Sequence, residues 1–426
     1  MSHTEENSNK TNKQSHKNSI KIHSREHYKL FSKGQIANLT IQNRLIRSAT
    51  WDPSILHSKR MTSEVLELYR KLSLGGVGMI ITGGFPVFNE PIKKRETDNW
   101  IQSFSELRVE GLEQLAKEVH SSREDCKIIA QIENGRLTAQ PSSIISPFSK
   151  RIPRTLTLEE IEDIIESYVE GIEGMNKAGF DGVQIHAAHG SLLSRFLSPY
   201  TNKREDNYGG SPSNRARIIR EIVSRSRKLV GNFPILIKMN STDYLVGGTD
   251  IHTFPELAKE IENIGIDALE ISGGMWDCLV RNEQDLGFKP VPAPESHTQI
   301  NNPKKQSYFL KFAEKLSLKI PIILVGGNRH VGLLEKIICQ GRIDFIAMSR
   351  PLICEPDLPN RWLMGQGKPT TECISCNSCI FNMLVHPNSP EPELVTCVFK
   401  ENKSLHIQAQ KWLNSWVKEN IQLNLD

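Results

Sequence analysis

Residues 179–217 read GFDGVQIHAAHGSLLSRFLSPYTNKREDNYGGSPSNRAR, and the change of pattern inside this stretch decides how the rest of the chain is read. A short apolar strand, Val183 to Ile185, runs into His186, and His189 and Gly190 follow at once. Set three residues apart as in a helical turn, the two imidazoles point the same way and offer N–H donors to one acceptor oxygen. A satisfied loop pair and a metal site are the other readings of the same residues. Beyond them Asn202, Arg204, Asp206, Tyr208 and Gly209-Gly210 make a polar loop whose ions need partners if it packs, and Ser211 before Pro212 is a helix start.

A strand that stops at chemistry raises the question of what the other strands stop at. From Leu45 onward, short β-branched runs alternate with helical patterns, as a parallel α/β fold requires. Eight strands are predicted: Leu45–Ala49, Met79–Thr82, Ile128–Ile132, Gly182–Ile185, Ile235–Met239, Ala268–Ile271, Ile322–Val325 and Phe345–Met348. Thr157 and Glu160 form a capping box at the head of one intervening helix, which ends at Gly179. Eight βα units over about three hundred residues suit a (β/α)8 TIM barrel, whose chemistry gathers at the C-terminal ends of the strands. The unusual residues fall there: Ser48-Ala49-Thr50-Trp51, Gly83-Gly84, Gln131 to Asn134, His186, Lys238 and Asn240, Ser272-Gly273-Gly274, Gly326-Gly327-Asn328 and Ser349-Arg350. Glycine-bearing loops after strands seven and eight make the usual barrel phosphate site, and Arg350 adds a charged fork.

The chain has 426 residues, 38% apolar and 24% charged, enough for one large barrel with extensions or for two to three smaller domains. Its 53 basic and 49 acidic residues argue against a nucleic-acid partner. The longest uncharged apolar run, Gly75 to Phe88, is broken by glycines and a proline and is too short to span a membrane. Residues 1–27 are polar, lack the apolar core of a secretory signal and read as a disordered tail. Eight cysteines without such a signal point to a reducing, cytoplasmic setting.

The string H-x-x-H-G-x-L-L-x-x-F-L-S-P-x-x-N-x-R-x-D-x-Y-G-G-S, from His186 to Ser211, resembles the signature of the Old Yellow Enzyme family of FMN oxidoreductases. That resemblance implies a barrel over residues 28–365 that binds FMN at its mouth. NADH or NADPH would reduce the flavin, and a small-molecule enone, nitro compound or quinone, held by His186 and His189, would then be reduced. It implies further that Ala49 and Gly84 lie along the flavin and that Gln131 hydrogen-bonds its pyrimidine ring. Lys238 would stand where an arginine is usual, and Gly326, Gly327, Ser349 and Arg350 would take the phosphate. Two residues depart from the pattern. Ser191 replaces the tyrosine that acts as proton donor, a far weaker general acid, and Trp51 replaces a threonine or cysteine near flavin O4.

Residues 366–426 read as an extension: Cys373, Cys376, Cys379 and Cys397, then a closing amphipathic helix whose tryptophans pack. Three close thiols and a distant fourth resemble the ligation of a [4Fe–4S] cluster, as after the barrel in trimethylamine dehydrogenase and 2,4-dienoyl-CoA reductase; zinc and free thiols are the alternatives. Cys126, Cys278, Cys339 and Cys354 read as small buried hydrophobes. Three functions remain in play: an NAD(P)H-dependent flavin reductase, a flavin dehydrogenase passing electrons to an iron–sulfur cluster, and a flavin-binding protein that has lost catalysis. A homo-oligomer is left open.

Overall fold

The computed structural model describes residues 24–55, 61–87, 106–134, 139–289, 291, 293–381 and 394–422. Most of the expected N-terminal tail lies outside them. Eight parallel strands form the centre: β1 (Leu45–Arg47), β2 (Met79–Ile81), β3 (Lys127–Glu133), β4 (Gly182–Ala187), β5 (Ile235–Asn240), β6 (Ala268–Ser272), β7 (Ile322–Leu324) and β8 (Phe345–Met348). Each pairs with its sequence neighbours, and β8 with β1 closes the cylinder, so the expected (β/α)8 barrel is the observed one.

All eight strands stand where the sequence places them, because a strand buried on both faces is written as a nearly continuous apolar run. Alternate residues then divide between two environments. Outward ones pack under helices α1 (Ser63–Leu74), α2 (Glu106–Ser122), α3 (Leu158–Lys177), α4 (Arg217–Val230), α5 (Phe254–Asn263) and α7 (Val331–Cys339), with the short α6 (Leu310–Ala313) and α8 (Leu358–Leu363) completing the ring. The start of α3 carries the expected capping box: Thr157 Oγ1 accepts from the Glu160 N–H and Glu160 Oε2 accepts from the Thr157 N–H at 2.8 Å. Ser211 likewise caps the helical turn begun by Pro212.

Inward residues change character along the barrel axis. Toward the N-terminal ends they are apolar, with Ile129, Leu236, Ala268, Ile323 and Phe345 in one cluster. The antiparallel hairpin Gly34–Ile36/Leu39–Ile41 plugs this end with Ile36 and Ile41. Toward the C-terminal ends the next inward positions are polar: Gln131, Gln184, Lys238 and Glu270. Beyond α8 the chain crosses this end of the barrel, and helix α9 (Lys403–Gln422) leans on the loop after β6, where Lys289 donates to Asn414 Oδ1 at 2.8 Å. The helix tryptophans are packing residues, Trp412 against Phe381 and Trp416 against Phe148.

Candidate active site at the barrel mouth

Strand register builds the site. In a parallel sheet, residues side by side on neighbouring strands face the same way, and here Gln131 lies beside Gln184, while Lys238 lies beside both His186 and Glu270. A charge sealed in a barrel is costly unless it is paired and hydrogen-bonded. Glu270 is 0% exposed and Lys238 5%, and they form an ion pair at 3.2 Å. Ser48 donates to the same carboxylate oxygen at 2.6 Å and accepts from Lys238 at 3.1 Å. Gln184 donates to the other oxygen at 2.7 Å, and Gln131 donates to Gln184 Oε1 at 2.8 Å. Gln131 and Lys238 are thus the outer ends of one buried chain. Sequence reading missed Gln184 and Glu270; the signal was a polar residue at an inward position between apolar neighbours, as in Leu269-Glu270-Ile271.

The two histidines come together, with ring centroids 5.3 Å apart and planes edge to face. The expected helical turn does not hold them. His186 is the penultimate residue of β4, and His189 sits at φ 59°, in the left-handed region, with its N–H tied to Asn240 Oδ1 at 3.0 Å. His189 Nε2 shares a 2.7 Å hydrogen bond with Ser272 Oγ. His186 Nδ1 is buried and unpartnered among the described residues. Burial, helped by the nearby Lys238 charge, lowers the His186 pKa to about 3. Burial also pushes His189 well down, with the His186 and Lys238 charges adding to it. Both rings are therefore neutral near pH 7 and carry one N–H each, that of His189 free for a ligand when its Nε2 accepts from Ser272.

Ser191 is committed elsewhere. Its hydroxyl donates to the His186 carbonyl at 3.0 Å, at the start of the helix Leu192–Leu197. The rest of the motif is architecture: Asn202 Nδ2 donates to the Phe196 and Tyr208 carbonyls, and Arg204 pairs with Asp206 while donating to the Pro141 and Leu156 carbonyls. Trp51 is 39% exposed. Ala49 is half-buried beside the inner cluster, and a Cβ on Gly84 would meet the Glu133 carboxyl at 2.8 Å. Ser349 Oγ hydrogen-bonds Thr50 Oγ1 at 2.6 Å.

At the expected phosphate end, Gly326 and Gly327 have φ of 104° and 71°. The Tyr308 ring packs where a Cβ on either would stand, at 2.7 and 2.9 Å. His297, whose pKa burial lowers to about 3, is stacked between Phe288 and Tyr308 at 3.7 and 3.9 Å. Arg350 gives one Nη to the His297 carbonyl at 2.9 Å and to Asn377 Oδ1 at 2.5 Å. It therefore joins the mouth to the cysteine segment.

Cys373, Cys376, Cys379 and Cys397 line one small cavity, about 20 Å³, with Arg350 on its wall. Ser375 and Asn377 take left-handed φ of 56° and 61°, which turns the chain sharply between the first three thiols. Arg329 clamps the turn through Ser375 Oγ and the Cys373 carbonyl. Burial raises the Cys379 thiol to about 12, and a hydrogen bond with Cys354 lowers Cys397 to about 7. Cys354 is thus buried against a partner thiol rather than alone, and Cys339, read as buried, is exposed. Among the described residues no three His, Cys, Asp or Glu side chains close on a single metal ion.

The mouth suits a flavin. The isoalloxazine pyrimidine edge carries an N–H between two carbonyls, and the site offers an acceptor in Gln131 Oε1, a cation in Lys238 and the polar atoms of Asn134 and His186 that lack a partner among the described residues. The family model described as NADH:flavin oxidoreductase / NADH oxidase family matches residues 29–368. The chain belongs to this family. The match bears out the Old Yellow Enzyme resemblance carried by His186 to Ser211. An NADH oxidase of Thermoanaerobacter brockii is 32% identical over 372 residues, which cover 82% of this chain and 53% of that protein. An NADPH dehydrogenase of Clostridium acetobutylicum is 31% identical over 348 residues, 77% of this chain and 92% of that one. A 2-naphthoyl-CoA reductase complexed with 2-naphthoyl-CoA superposes with a TM-score of 0.72 at 25% identity, over 89% of this chain and 58% of that one. The chain spans about half the length of the Thermoanaerobacter protein and of a similar metal reductase of Desulforamulus reducens. No helix among the described residues is long and apolar enough to cross a membrane.

Proposed function

We propose that the chain is an FMN-dependent oxidoreductase that takes reducing equivalents from NADH or NADPH and delivers them to a nitro compound or quinone at the barrel mouth, with an iron–sulfur cluster beside it. Family membership supports the flavin and the nicotinamide, and the buried chain from Gln131 to Lys238 is the observation that carries the reading to these residues. FMN, when bound, supplies the hydride-accepting and hydride-donating ring.

The protein's own groups do the rest. With FMN bound, Lys238 would set positive charge beside the ring and stabilise its reduced form, and the barrel wall around this buried ammonium would exclude water. His186 and His189, neutral and 5.3 Å apart, each give an N–H to the oxygen of the acceptor. Ser191 does not supply a proton, because its hydroxyl is held by the His186 carbonyl. That favours nitro groups and quinones, whose oxygens take their protons directly, over enones, which need an acid at carbon. Three thiols two residues apart and a more distant fourth, all lining one cavity, fit the ligation of a cluster of several irons better than the two separated pairs usual for zinc.

Steady-state reduction of a quinone, a nitroarene and an enone by NADH, in wild type and Ser191→Tyr, tests the reading. Quinone and nitroarene turnover well above enone turnover is expected, with the tyrosine raising the enone rate by about a hundredfold, a typical general-acid contribution. Rapid enone turnover by the wild-type chain contradicts it.

A further inference from the structure

The carboxylate of Glu270 has a part in the site that its distance from the mouth conceals. It is fully buried, accepts two hydrogen bonds, from Ser48 at Oε1 and from Gln184 at Oε2, and pairs with the Lys238 ammonium through Oε1. A carboxylate can only accept, whereas a carboxamide gives from one end and takes at the other. Gln184 must therefore turn its NH2 toward Glu270, which leaves its oxygen facing Gln131. Gln131 in turn spends its NH2 on that oxygen, and its own Oε1 is the atom left for a ligand, without a hydrogen-bond partner among the described residues. The direction of two amides is thus dictated by one carboxylate.

We propose that Glu270 is a positioning residue that fixes Gln131 as a pure acceptor, matched to the N3–H of the flavin, and balances the charge that Lys238 presents to the same ring. The inference rests on the flavin reading above and names how this chain's residues address the ring. Register makes it rigid: Gln131 beside Gln184 and Lys238 beside Glu270 are neighbours on paired strands, with no loop between them. Pairing Lys238 with a carboxylate also distinguishes this site from one with an unpaired cation. A nearby negative charge holds the flavin at a lower potential than Lys238 alone would set, since it opposes negative charge on the reduced ring.

Two variants separate the two parts of the assignment. Gln184→Met cuts the amide chain and leaves the Lys238–Glu270 pair, and Glu270→Gln removes the charge while keeping the shape. Full-length apoprotein is reconstituted with FMN, and N3 ionisation of the bound ring is followed by absorbance against pH. An acceptor that cannot turn round disfavours loss of the N3 proton, so wild type should bind that proton at least about tenfold more tightly than free FMN, a strong hydrogen bond's worth. Gln184→Met should lose most of that factor, because Gln131 can then rotate and donate. Midpoint potentials by dye equilibration should shift positive in Glu270→Gln and stay near wild type in Gln184→Met. Equal N3 ionisation in wild type and Gln184→Met, or an unmoved potential in Glu270→Gln, overturns the proposal while leaving the flavin site standing. Failure of the wild-type chain to bind FMN overturns the flavin reading and the assignment with it.

Discussion

Two groups of four polar or reactive residues stand out in this chain, and they are assembled in opposite ways. Gln131, Gln184, Lys238 and Glu270 come from four strands, and their mutual positions follow from strand register. Cys373, Cys376, Cys379 and Cys397 come from an irregular segment crossing the end of the barrel, held by left-handed turns at Ser375 and Asn377 and by the Arg329 clamp. The first group is buried, whereas of the second only Cys373 is buried and the other three thiols are partly exposed. The first is already joined by its own hydrogen bonds and ion pair, with Gln131 Oε1 left over at its outer end. The second leaves four thiols around a cavity with little between them. A preformed network belongs to the fold, whereas a ligand set gains its stability from what it binds.

The contrast can be broken most sharply at Glu270. Glu270→Leu leaves Lys238 buried without its counter-ion, and the protein should lose about 3–5 kcal/mol in denaturant unfolding. The double change Lys238→Met with Glu270→Leu should recover most of that loss, since a buried pair replaced by apolar volume is often neutral. A double mutant no more stable than the single would show that the ion pair is not what the barrel mouth depends on.

Acid should strike the barrel group next. His186 has its folded pKa lowered to about 3 from an unfolded value near 6.5, so the unfolded chain binds the extra proton between these limits. Stability is then fully present above pH 6.5 and falls as pH drops toward 3. By pH 5 the loss from this one residue is about 2 kcal/mol. His186→Asn should flatten the dependence between pH 7 and 5 by that amount. An unchanged slope would mean that the ring is charged or exposed in the folded protein.

The smallest effect on the fold is expected in the cysteine segment. Cys376→Ser should change the unfolding free energy of the metal-free protein by no more than about 0.5 kcal/mol, as partly exposed substitutions generally do. Iron content should fall to near zero and FMN content should stay. Loss of flavin together with iron would erase the distinction between the two groups, making the segment part of the barrel mouth.

What the sequence revealed follows the same division. All eight strands were legible, since a short, mostly apolar run between helical patterns has few other uses in a chain of this length. Residues at the strand ends were legible too, because the barrel sends its chemistry there. Glu270 and Gln184 were hidden by being flanked with apolar residues, although register from Lys238 and Gln131 points straight at them. Loop geometry was the least legible. Nothing in H-A-A-H announces the left-handed backbone of His189, which depends on Asn240 from another strand, and nothing near Cys354 announces that it meets Cys397, 43 positions later.

The measurement that bears most directly on the central claim is an absorption spectrum of the chain purified without oxygen, with FMN released on denaturation and iron and zinc counted on the same sample. One FMN per chain over a broad brown absorbance, with about four irons and no zinc, is the predicted result. A colourless protein that takes up no FMN on reconstitution would contradict it.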